Sequence, residues 1–175
     1  MTTEQLSFPQ AIQATKSLMD KIKHGQLDEK KIEKEVAAIV NSKSGGRGFF
    51  VAYLTSDMPI ADNPSVGIIN GLRTSTKMVS EVLVKNLAMS SAMAVTHFNN
   101  NDLDNLKGSQ QISRRTSNII QKIQLDLIEK ELEKLRNTIY TGQGDYQNFL
   151  ERWNYDRDQK QAIYKVILDT LIEQE

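Results

Sequence analysis

Only one segment of the chain, FFVAYL at residues 49–54, is rich in the aromatic and β-branched side chains that strands favour. A lone strand cannot satisfy its own backbone donors and acceptors, and no second run of comparable β character is there to pair with it. A sheet is therefore excluded as the organising element. The expected fold is mostly α: a single-domain helical bundle of five or six helices, with one short extended or irregular buried segment near residues 48–55. Six residues are too few for periodicity to separate strand from buried helix, and Phe49, Phe50, Val51 and Tyr53 tilt the expectation toward an extended state.

Apolar residues at helical spacing fill the rest. Ile12, Leu18, Met19 and Ile22 form one stripe behind Pro9, which suits a first helical turn, and Gly25 ends it. Asp28 is placed to cap a second helix whose stripe is Ile32, Val36, Ile39 and Val40. Residues 1–41 thus read as a helical hairpin, residues 42–64 as a Gly- and Pro-containing connection, and residues 65–175 as the main bundle. In that bundle Asp62 or Asn63 caps a central helix from about Ser65 to His97, past Ile69, Leu72, Val79, Leu83 and Leu87. Ser109 opens the next helix, with Leu125, Ile128, Leu132, Leu135 and Ile139 in a three-four rhythm until TGQGD stops it. A short helix around Tyr146 to Trp153 and an amphipathic one from about Arg157 complete the chain.

Charge and composition narrow the functional classes. Lys plus Arg equals Asp plus Glu at 22 each, so no overall field steers the chain to nucleic acid or to an anionic membrane. There is no Cys, which removes thiolate chemistry and zinc–thiolate sites and fits a reducing compartment. The start MTTEQLSFPQ lacks the pattern of a secretory signal, and LAMSSAMAV falls short of the roughly 20 apolar residues of a membrane span. A cytoplasmic protein is expected, and the Asn, Gln, Lys and Ile usage fits an AT-rich bacterial coding sequence. His24 and His97 are the only histidines and lie far apart in sequence, with no second His at ligand spacing from either, so neither a metal nor another cofactor is expected.

The glycine-rich SGGRG is the first candidate site. Successive glycines let backbone amides converge on an anion, so Ser44, Gly45, Gly46, Arg47 and Gly48 could hold a phosphate, with Arg73 and Lys77 four apart on a helix as further cations. Both established phosphate fingerprints fail here: no Gly-Lys-Ser/Thr closes a P-loop, and Val51 stands where the dinucleotide motif needs its third glycine. The competing reading is a hinge that ends the second helix and turns Phe49, Phe50, Val51 and Leu54 inward. SRRTS at residues 113–117 is another basic-hydroxyl cluster, read as solvated surface. Ala88, Ser91, Ala92 and Val95 permit close helix approach, while Met89 and Met93, four apart, form an adaptable apolar patch whose usual use is core, with a protein interface next and a ligand pocket third. With large amphipathic faces and no catalytic constellation, the expectation is a non-enzymatic interaction or regulatory protein that self-associates as a homodimer and has an unknown protein partner. A small-anion or nucleotide-phosphate binder using Ser44–Gly48 is the alternative.

Overall fold

The computed structural model describes residues 4–172. Every regular element among them is helical: α1 Phe8–Lys23, α2 Glu29–Ile39, α3 Lys43–Leu54, a 3₁₀ turn at Pro59–Asp62, α4 Val66–Arg73, α5 Thr76–Asn99, α6 Leu103–Ile123, α7 Asp126–Thr141, α8 Gln147–Arg152 and α9 Arg157–Ile172. The mostly helical expectation holds, with more and shorter helices than five or six. The chain forms two compact units, one up to Val82 and the other from Leu83.

In the first unit α1 packs on α3 and α2 packs on α4. Ser7 and Gln10 close a capping box on α1, and the Asp28 carboxylate accepts from the Lys31 amide at 2.9 Å to start α2, as the sequence suggests. Gly25, at φ +67°, makes the left-handed turn between them. The Lys21–Glu35 pair at 3.4 Å links these two helices across their exposed edges.

The segment expected to be extended at residues 48–55 is instead helical, in α3, which Ser42 caps through a bond from the Gly45 amide at 3.1 Å. A helix satisfies the backbone of an apolar segment that has no strand to pair with, and β propensity yields to that requirement. The glycines therefore lie inside α3 rather than ending α2, whose C-cap is Val40. Phe49, Phe50, Tyr53 and Leu54 are buried, with the Phe49 ring edge-on to Phe50 at 5.2 Å and stacked on Tyr53 at 5.5 Å. Val51 was expected inside and is 45% exposed, because helical phase turns it away from that set.

The central helix expected from Ser65 to His97 is two helices, α4 and α5, broken at Thr74 and Ser75. The hydroxyls of Thr74 and Thr76 bond to the carbonyls of Gly71 and Arg73 at 2.6 and 3.0 Å, competing with the helical ladder at that point. Ser65, not Asp62 or Asn63, caps α4. Glu29 adds a second cap from α2, its carboxylate accepting the Gly67 amide at 2.6 Å.

In the second unit α9 packs against both α6 and α7. The helix expected to start at Ser109 starts at Leu103, capped by Asp102, and Ser109 is buried within it. That helix also ends early, where Gln124 takes left-handed backbone angles of φ 49° and ψ 51°. A new helix begins at Asp126 and stops at the left-handed Gly142 of TGQGD. Ile119, Ile120 and Ile123 of α6 and Ile128, Leu132 and Leu135 of α7 are all buried. α5 has 24 residues and a mean hydropathy of 1.2 over its most apolar stretch, so by length and composition it could cross a bilayer, unlike the nine-residue run singled out in the sequence. Half of that stretch is buried inside the protein, as it is in a core helix.

Candidate functional site

Three helices of the second unit each turn one stripe toward a shared groove of about 630 Å³. Ser91, Val95 and Phe98 of α5 are spaced four and three apart, which keeps them on one face. From α6 come Leu106, Gln110, Ser113, Arg114 and Ser117, again at three-four spacing, and from α9 come Ala162, Lys165, Val166 and Asp169. The walls are thus apolar or carry hydroxyls and amides, with charges on Arg114, Lys165 and Asp169.

Polar ties hold these helices in place. The Ser91 and Ser113 hydroxyls lie 3.3 Å apart and join α5 to α6, while Ser117 and Thr170 meet at 3.0 Å and join α6 to α9. Gln159 secures α9 to α5, its amide donating to the Thr96 hydroxyl at 3.0 Å and to the Ala92 carbonyl at 3.3 Å. At the α5–α6 turn the Asp102 carboxylate accepts the side-chain amide of Asn105 at 2.7 Å and its backbone amide at 3.3 Å. Those bonds, with His97 3.9 Å away, hold the Asp102 carboxyl below the usual carboxylate range. Phe98 stands at the rim with 67% of its surface in water.

The residues singled out from the sequence fall elsewhere. Ser44 and Arg47 are exposed on α3, and the Arg47 guanidinium stands 5.8 Å over the Phe8 ring. Gly45, Gly46 and Gly48 are buried at close approaches, where an added Cβ would meet the Ile39 carbonyl oxygen, the Met78 side chain and α1, respectively. Two of their amides are occupied, Gly45 by the Ser42 hydroxyl and Gly46 by the Ser42 carbonyl at 2.9 Å. Arg73 ends α4 with a bond to the Asn70 side chain at 3.0 Å, and Lys77 is exposed in the first turn of α5, beside the Met78 that covers Gly46. Met89 is half-buried and Met93 is 40% exposed, on a different face of α5 from the groove. Among the described residues no three His, Asp or Glu side chains gather as a metal site would require.

Sequence reasoning passed over Phe98, Lys165 and Asp169, and it read Arg114 as surface. A signal was available in SRRTS: Ser113, Arg114 and Ser117 share a helix face, and a face carrying two hydroxyls and one cation is built for contact as readily as for solvent.

Residues 7–170 match the family described as Uncharacterised conserved protein UCP020893. The chain belongs to that family. The matched span opens at the Ser7 cap of α1 and closes at Thr170, so it takes in both units and every residue of the groove. Neither the curated proteins nor the solved structures contain a match.

Proposed function

We propose that this protein is a non-enzymatic interaction protein that self-associates through the groove formed by α5, α6 and α9. The observation that carries the reading is the mixture in the lining: two cations, Arg114 and Lys165, and one carboxylate, Asp169, beside the exposed ring of Phe98. A two-fold dimer places each patch on its own copy, so a surface that is its own complement must carry both signs of charge around apolar anchors. Arg114 of one subunit then faces Asp169 of the other, twice, and Phe98 enters the partner's groove. Aromatic and Arg side chains are the usual anchors of such contacts. Met93 lies five residues before Phe98, about 140° away around the helix, and stays outside this contact.

Sedimentation equilibrium over a range of concentrations tests it. The wild-type chain should sediment as a dimer, and Phe98→Asp should shift it to monomer. Arg114→Glu and Asp169→Arg should each weaken the dimer, and the double variant should recover it. A wild-type chain that is monomeric at every concentration, or a dimer indifferent to all of these changes, refutes the proposal.

A further inference from the structure

A second cavity of the same unit, about 510 Å³, opens between the C-terminal end of α7 and the start of α9, lined by Ile139, Tyr140, Arg157, Lys160, Gln161 and Tyr164. We infer that it is a binding site for a mononucleotide, with the phosphate held by Arg157 and Lys160 and the base stacked on the tyrosines. Arg157, Lys160 and Tyr164 are three and four residues apart, so α9 presents them from one face, with Gln161 beside them. The lining holds two positive charges and no carboxylate, in a chain whose charges cancel overall. Neither cation has an ion pair or side-chain hydrogen bond among the described residues. The two carboxylates flanking Arg157, Asp156 and Asp158, are not part of the lining, and Asp156 caps α9, accepting the Gln159 amide at 2.8 Å. An unpaired guanidinium beside an ammonium is a receptor for phosphate oxygens, and the planar guanidinium can bind two of them at once.

The tyrosines define the rest of the ligand. Tyr140 keeps 80% of its surface in water, so packing within the chain does not account for the ring's position at this pocket. Bases stack on such rings whatever their identity, and Gln161 supplies both a donor and an acceptor for a base edge or a ribose hydroxyl. The cavity volume lies within the range of about 300–1,000 Å³ usual for small-molecule sites. A bare phosphate would leave both rings unused, and a bare nucleoside would leave both cations unmatched.

Isothermal titration calorimetry with AMP, adenosine, inorganic phosphate and a short oligoadenylate tests the assignment on the full chain. AMP should bind, with adenosine and phosphate each weaker by about tenfold or more. Tyr140→Ala, and separately Arg157→Gln with Lys160→Gln, should each weaken AMP by about tenfold or more, with an unchanged far-ultraviolet dichroism spectrum showing that the exposed substitutions leave the fold intact. Arg114→Gln, in the separate groove, should leave AMP affinity unchanged, so this test and that of self-association fail independently. Four results overturn the inference: no heat with AMP at millimolar concentration, phosphate binding as tightly as AMP, affinity indifferent to the pocket variants, or binding of oligoadenylate without binding of AMP.

Discussion

Replacing Gly48 by Ala should destabilise the protein, although the same change at Gly108 should stabilise it. Both glycines lie inside helices, where Ala is favoured over Gly by about 1 kcal/mol. At Gly108 nothing stands within 4 Å of the added Cβ, so the whole of that gain should appear. At Gly48 the new carbon would lie 2.6 Å from the Ala11 Cβ, 2.8 Å from the Phe8 carbonyl oxygen and 3.2 Å from the Ile12 amide nitrogen. None of these atoms can rotate aside, so α1 and α3 must separate. Overpacking of this kind costs about 1–3 kcal/mol, and with main-chain atoms as the obstacle the upper end applies. The net expectation is a loss of about 2 kcal/mol at Gly48 against a gain of up to about 1 kcal/mol at Gly108. Urea unfolding followed by circular dichroism at the helical band reads both, as midpoint shifts of opposite direction at unchanged slope. A Gly48→Ala protein as stable as wild type would refute the claim that Gly48 admits α1.

Two further outcomes follow from the same core. Phe50→Ala should cost about 3–5 kcal/mol, since the ring is inaccessible to water. Arg47→Ala, which removes only an exposed cation over the Phe8 ring, should stay within about 1 kcal/mol, and chemical denaturation of the pair checks the contrast. Burial raises the Tyr155 hydroxyl from 10.0 to about 12, so an ultraviolet absorbance titration should contain a late component that Tyr155→Phe diminishes. The folded chain keeps a proton that the unfolded chain releases near pH 10.0, so the Tyr155 contribution to stability is whole below that pH and is lost as pH rises to about 12. Tyr155→Phe should remove this part of the alkaline decline.

The sequence by itself determined the helical class, the caps at Asp28 and Gly142, and the last helix from Arg157. Each of these rests on interactions within one or two turns of chain, which local residue types specify. It also held the state of residues 48–55 in a form easily missed. Gly46, Phe49, Phe50, Tyr53 and Leu54 fall at spacings of three, one, three and one, a helical stripe, yet the stripe shows only when a glycine is counted as a buried position and not as a breaker. Whether a glycine turns the chain or admits a neighbour depends on what stands opposite, and Ala11 and Phe8 are some forty residues away in sequence.

The break at Thr74–Ser75 has a local source in the Thr74 and Thr76 hydroxyls, whereas the one at Gln124 belongs to the tertiary structure. Gln is a good helix former, and nothing around it signals a left-handed residue. Burying the stripes of both α6 and α7 against α9 recovers far more free energy than one strained backbone position costs. The groove and the α7–α9 pocket are decided in the same way. Arg114 and Lys165, or Tyr140 and Arg157, carry no pattern that pairs them in sequence, and they share a cavity only because apolar faces elsewhere on the same helices fix where each helix lies.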